Sequence, residues 1–200
     1  MSSIVVAGDT SGTITISAPS AAGSGTLTLP TGTDTLVGKA TTDTLTNKSI
    51  AATQLTGTIA ASVLPAGSVL QVVSATYSTM VTNVTGTYAD TGLTATITPT
   101  KNTSKILVLI NQSGVSSSNT TAGTNIQLLK NASVLSLLAG YYNYSVANIT
   151  STVSTCYLDS PATTSATTYK TQFARATGAG TVYVQDNSST STITLMEIAG

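Results

Sequence analysis

The sequence predicts an all-β chain: a thin N-terminal rod of short strands followed by a C-terminal β-sandwich head of jelly-roll-like type. Three observations carry this. The 200 residues include 42 Thr and 26 Ser, about a third of the chain, and Thr is a β-branched strand former. Apolar and polar residues alternate in short runs bounded by Gly, Pro and Asn, as in strands with one buried face. No helical period runs through the C-terminal two-thirds.

The rod comes first in the chain. All eight Tyr and Phe173 lie at or after Tyr77. Before residue 66 the large apolar residues, such as Ile14, Ile16, Leu27, Leu29, Leu36 and Leu45, are almost all isolated. So sparse a set cannot offset the ~1–2 kcal/mol per residue that backbone ordering costs. Either the segment is disordered or other chains supply the missing half of its core. Its patterning favours the second. Ser11-Gly12-Thr13-Ile14-Thr15-Ile16 returns as Ser24-Gly25-Thr26-Leu27-Thr28-Leu29, each copy a Gly turn, an alternating run and a Pro terminator. Thr33-Asp34-Thr35-Leu36 returns as Thr42-Asp43-Thr44-Leu45. From Ile50 through Leu55 and Ile59 to Leu64, single apolar anchors follow every four or five residues. Quasi-repeats that bury one residue per turn describe an intertwined rod, with three-fold symmetry the usual closure. The expected division is 1–40, a β-repeat region; 41–65, a short shaft; and 66–200, the head.

In the head, strands are expected at Val69–Ser74, Gly92–Thr98, Lys105–Gln112, Ile126–Lys130, Val134–Leu138, Thr152–Leu158, Thr168–Ala176, Thr181–Gln185 and Thr192–Ile198. Turn residues separate them, among them Thr98-Pro99, Asn131-Ala132 and Gly178-Ala179-Gly180. Strands at this spacing suggest a sandwich or jelly roll. Lys105–Gln112 is apolar on both faces and belongs in the middle of a sheet, or at a subunit contact, or both.

Charge excludes most other classes. Seven basic residues balance seven acidic ones, only 7% of the chain is charged, and His is absent. That leaves no basic footprint for nucleic acid and none for an anionic membrane surface. It also removes the side chain best suited to proton transfer at neutral pH. Ile106–Ile110 is far shorter than the ~20 residues of a membrane helix. The opening nine residues lack a basic n-region, so no signal segment is expected. A lone Cys excludes an internal disulfide. Cys156, with no His to activate it, is expected to be a small buried apolar residue. Asp90-Thr91-Gly92 matches the core triplet of aspartic proteases but lacks the small residue after Gly92 and the apolar pair before Asp90, and reads as a turn entering the next strand. Gly178-Ala179-Gly180 precedes no helix and is a hairpin tip. The Asp residues have no metal-ligand spacing. No catalytic residue, metal or cofactor is expected. Nine of the ten Asn residues sit in Asn-x-Ser/Thr; the favoured reading is Asn turns in a hydroxyl-rich β sequence. Thr94, Thr96 and Thr98 read as a solvent-facing row of strand hydroxyls. The only Glu, Glu197, and the only Arg, Arg175, lie in alternating strands, where a charge is expected to be paired or hydrogen-bonded.

The two Gly-Thr-Ile/Leu-Thr blocks, Thr42-Asp43-Thr44-Leu45-Thr46-Asn47-Lys48 and Leu55-Thr56-Gly57-Thr58-Ile59 resemble the N-terminal and shaft regions of fibre and decoration proteins of tailed bacteriophages. Ser104-Lys105-Ile106-Leu107-Val108, Leu158-Asp159-Ser160-Pro161 and Thr192-Ile193-Thr194-Leu195-Met196-Glu197 are similar to their terminal β domain. The resemblance spans nearly the whole chain and carries over no catalytic or receptor residue. It implies a non-enzymatic virion structural protein: a homotrimer held to a capsid or tail protein through its N-terminal region, made in the host cytoplasm and displayed on the virion surface. The contacts expected within the trimer are Ile50, Leu55, Ile59 and Leu64 in the shaft and Ile106, Val108 and Ile110 in the head. Length favours a capsid decoration or short fibre, because 65 extended residues at ~3.3 Å each reach only about 200 Å. The alternative is a tail fibre or carbohydrate-binding adhesin, with Tyr141, Tyr142 and Tyr144 as a stacking patch on a loop for host glycans.

Overall fold

Strands form wherever alternation of apolar and hydroxyl-bearing side chains is sustained. The structure, a computed structural model, describes residues 3–7, 11–17, 31, 49–54, 56–57, 59–60, 63–143 and 149–200. Internal contacts divide the chain into two units, Met1–Thr56 and Gly57–Gly200.

In the first unit, β1 (Ser3–Ala7) and β2 (Thr13–Ser17) pair antiparallel, with Ile4 opposite Ile16 and Val6 opposite Ile14. β2 is the first of the two Gly-Thr repeats. Its partner β1 is not among the strands read from the sequence. The second repeat and the Thr-Asp-Thr-Leu pair lie outside the described residues. Among the described residues of 49–65 no strand forms; Ala52–Gln54 makes a single 3-10 turn instead. Residues 41–48 of the expected shaft, and Leu55, lie outside the described residues.

Among its described residues the second unit holds ten strands: β3 (Val69–Tyr77), β4 (Val81–Asn83), β5 (Ala89–Ile97), β6 (Lys105–Ser117), β7 (Gly123–Lys130), β8 (Ser133–Asn143), β9 (Ser151–Asp159), β10 (Thr167–Thr177), β11 (Val182–Val184) and β12 (Ser191–Ile198). Each of the nine expected strands is present. β4, three residues long, is the one strand here that the sequence reading did not expect. The pairs β3·β12, β5·β10, β6·β9 and β7·β8 are all antiparallel. They are the rungs of one long ribbon, with arms 3-5-6-7 and 8-9-10-12. Further pairing of β12 with β6 and of β10 with β7 folds that ribbon into two sheets, ordered β3-β12-β6-β9 and β5-β10-β7-β8. This is the strand order of a jelly roll. β11 pairs with β6 at Ser116 and Ser117 and with β4, extending the first sheet at one end.

Two apolar clusters fill the sandwich. One joins Leu93, Ala95 and Ile97 of β5 to Ile106, Val108 and Ile110 of β6, Leu128, Tyr169, Ile193 and Leu195. The other gathers Val115, Ile126, Val153, Phe173, Val182 and Val184. Along the strands, a belt of fully buried polar side chains separates them: Thr91, Gln112, Thr171, Gln185 and Ser191. Thr91 and Thr171 share a hydroxyl bond of 2.6 Å, Thr171 Oγ1 donates to Gln112 Oε1 at 2.9 Å, and Gln112 Nε2 donates to Ser191 Oγ at 2.9 Å. With its amide oriented to satisfy both ends, Gln185 accepts from Ser191 Oγ and donates to Thr91 O and Val184 O. Each side chain in the belt is thus partnered, which is the condition for a buried network to stabilise one packing.

Candidate assembly surface

The two outer faces of the sandwich differ sharply. On the β3-β12-β6-β9 sheet, the register aligns Val72, Met196, Leu107 and Leu158 in one row across all four strands. The next row is Ser74, Thr194, Leu109 and Cys156, and the third is Thr76, Thr192, Asn111 and Ser154. Val72 is 56% exposed, Leu158 53% and Leu109 38%. No charged residue occurs in these rows. Leu109, Asn111, Ser154, Cys156, Thr192 and Thr194 line a shallow groove on this face.

The opposite sheet carries charge and amides outside, beside Val134 and Leu137 of β8, which are also exposed. Gln127 Nε2 donates to Gln172 Oε1 at 3.0 Å, Gln172 Nε2 to Asp90 Oδ1 at 2.7 Å, and Lys170 Nζ to Asp90 Oδ2 at 2.9 Å. The Lys170 hydrogen bond holds the Asp90 carboxyl below the usual carboxylate range, against a smaller upward push from partial burial. Thr94, Thr96 and Thr98 are exposed, and Thr96 bonds Thr168 through their hydroxyls at 2.7 Å. The hydroxyl row read from the sequence therefore faces solvent.

The residues that suggested chemistry are occupied structurally. Asp90-Thr91-Gly92 is not a turn before a strand; it lies inside β5, where the register to β10 shifts between Lys170 and Gln172. Thr91 belongs to the buried belt, and Gly92, at φ +87°, sits so close to the Tyr77 ring that a Cβ would collide with it. The triplet is a β-bulge, which re-aims the strand. Cys156 is exposed rather than buried. Val153 and Asp159 set the inward phase of β9, which turns Cys156 to the outer face. Glu197 is fully buried. Its Oε2 accepts from Gln71 Nε2 at 2.6 Å, and its Oε1 from Thr100 N at 2.7 Å and Thr100 Oγ1 at 2.8 Å. Burial pushes this carboxyl up, but the hydrogen bonds and the nearby Ser104 hydroxyl outweigh it and leave its pKa below the usual range. Arg175 Nη1 donates to Gly180 O at 2.9 Å, so both lone charges are hydrogen-bonded, as expected, without pairing to each other. Asp159, also buried, takes Lys130 at 3.0 Å and the Tyr169 hydroxyl at 2.7 Å; burial first, and this hydrogen bond next, raise the Tyr169 pKa.

No protein-family model and no curated protein matches the chain. Among solved structures, the neighbours include proteins of infectious bursal disease virus. The infectious bursal disease virus VP2 subviral particle gives 11% identity and a TM-score of 0.47 over 65% of this chain and 33% of that one. The infectious bursal disease virus Gt strain gives 12% identity and a TM-score of 0.33 over 66% of this chain and 39% of the other. The chain thus spans well under half the length of the viral proteins it matches. A likeness of this size assigns no function, and the jelly-roll order stands on the strand pairing alone.

The site residues expected from the sequence fare unequally. Ile106, Val108 and Ile110, expected at a subunit contact, are a correction: they are buried in the chain's own core. β6 is apolar on both faces, and the sandwich uses that set, leaving Leu107 and Leu109 outward. In the shaft, Ile50 and Ile59 are exposed and Leu64 is half-buried, while Leu55 lies outside the described residues. Tyr141 and Tyr142 lie in strand β8 rather than on a loop, and Tyr144 lies outside the described residues. Sequence reading missed Val72, Met196, Leu107 and Leu158. Each is unremarkable within its own strand; only the register of four strands makes a row of them.

Proposed function

We propose that the chain is a non-enzymatic virion structural protein of bacteriophage type, a homotrimeric capsid-surface decoration protein or short fibre. In this reading residues 1–40 attach to a capsid or tail protein, 41–65 gather the three chains, and the jelly-roll head is displayed at the virion surface. The observation that carries it is the pairing of a hydroxyl-covered head, whose buried acids are all held by structural partners, with an N-terminal part too poor in apolar residues to make its own core. No cofactor, nucleic acid or membrane enters the reading. Ile50, Leu55, Ile59 and Leu64 remain the proposed shaft contacts. Pull-down of purified capsid and tail proteins by the full-length chain tests the attachment. Binding to a capsid protein supports decoration, binding to a tail protein supports a short fibre, and binding to neither removes the virion reading. Recognition of host glycans through Tyr141, Tyr142 and Tyr144 is the competing reading, and glycan-array binding lost on replacing all three with Ala would establish it instead.

A further inference from the structure

From the geometry of the head we infer that the outer face of the β3-β12-β6-β9 sheet is where copies of this chain meet, so that its occupant is a second copy. This inference rests on the oligomeric reading above and names the face that reading lacks. The row Val72, Met196, Leu107 and Leu158, with Leu109 and Cys156 beside it, forms an apolar strip crossing the whole sheet. Interface centres are depleted of charge and their rims are polar. Here the strip itself carries no charge; Lys105, opposite Ile198, borders it on one side, and on the other the border is hydroxyl and amide, where Ser74 and Thr194 bond each other at 3.1 Å and Ser113 Oγ donates to Asn111 Oδ1 at 3.2 Å. Those polar groups already have partners, so covering them exposes few unmet hydrogen bonds. The opposite sheet differs in bearing the Asp90–Lys170 ion pair on its outer face, beside exposed Val134 and Leu137.

Area selects the occupant. Four strands ~4.8 Å apart and about eight residues long at ~3.4 Å each present roughly 500 Å². A stable interface between free proteins needs roughly 800 Å² per partner. A foreign protein would find on this face no charge to steer it beyond the bordering Lys105, and too little area to hold it. Copies gathered by a common N-terminal part meet at effective concentrations on the order of millimolar, where a face of this size suffices.

Cys156, the only Cys in the chain, lies on this face and reports on it directly. In the full-length oligomer, with mass followed by light scattering, Cys156 should react with a maleimide at least about tenfold more slowly than in the Leu109→Ser/Leu158→Ser variant, whose neutral side chains add no charge beside the thiol and so leave access as the difference. That variant should keep the β spectrum of the wild type and lose mass on dilution. If it fails to fold, the wild-type oligomer is compared with the same chain unfolded in denaturant. A Cys156 that reacts in the oligomer as fast as in the comparison chain overturns this inference and leaves the oligomer standing. Shielding that appears only after capsid or tail protein is added overturns it too, because the occupant is then foreign. A wild-type chain that is monomeric at every concentration removes the oligomeric reading and the inference with it.

Discussion

Glu197 shows how a sequence this poor in charge uses the little it has. Its carboxylate accepts three hydrogen bonds from Gln71 and Thr100, tying β12 to β3 and to the turn after β5. Glu197→Gln would set an amide N–H against one of these donors, at a cost of about 1–3 kcal/mol. The folded pKa is depressed, so the contribution is fully present above the unfolded value, ~4.3, and is lost as pH falls through the folded one. Urea unfolding of wild type and Glu197→Gln should therefore differ at pH 7 and converge only as the pH falls past the unfolded value and through the depressed folded one. Gly92→Ala tests the bulge. At φ +87° and against the Tyr77 ring, it should destabilise the head by about 1–3 kcal/mol, seen as a lower urea midpoint, whereas an accidental turn would tolerate it. The Asn-x-Ser/Thr pattern also resolves at this scale. Asn83 Oδ1 accepts from Thr85 N and Oγ1 at 2.8 and 3.0 Å, and Asn119 Oδ1 from Thr121 N and Oγ1 at 2.6 and 2.7 Å. The hydroxyl two residues on completes the Asx turn, which gives these triplets a folding role.

Among the elements, β6 decides most. It lies between β12 and β9 and supplies the core of one cluster, a member of the polar belt and a member of the second cluster. Ile106→Ala should cost about 2–5 kcal/mol at every protein concentration, whereas a residue of a subunit contact would give a loss that grows on dilution; thermal unfolding across a dilution series separates them. The belt gives a second element-scale expectation. Gln112→Leu strips Thr171, Ser191 and Gln185 of a shared partner, and should lower stability by several kcal/mol, since each stranded buried group costs about 1–3 kcal/mol. If the variant unfolds at the wild-type urea midpoint, the belt carries no such weight.

At the scale of the whole molecule, the expectation is a trimer near three times the 20.0 kDa chain mass by light scattering. A dimer would keep the idea of a shared core and discard the three-fold seam; a monomer would discard both. Closure has a physical motive, because a jelly roll leaves β3, β9, β5 and β8 as sheet edges, and a chain with zero net charge has little repulsion to keep such edges apart.

The sequence by itself determined the all-β class, nine of the ten strands of the head, their turns and the hydrogen-bonded state of Glu197 and Arg175, because all of these follow from period-two alternation, turn chemistry and the cost of burying charge. Tertiary structure decided which face of each strand points inward. In Ile106-Leu107-Val108-Leu109-Ile110 both faces are equally apolar, so alternation has no phase there, and the odd-numbered set faces outward only because β12 and β9 pin the register. Cys156 went outward for the same reason. The candidate surface was hidden in the same way: Val72, Leu107, Leu158 and Met196 come from four separated stretches of chain, and a row across a sheet exists only once long-range pairing has set the strands side by side.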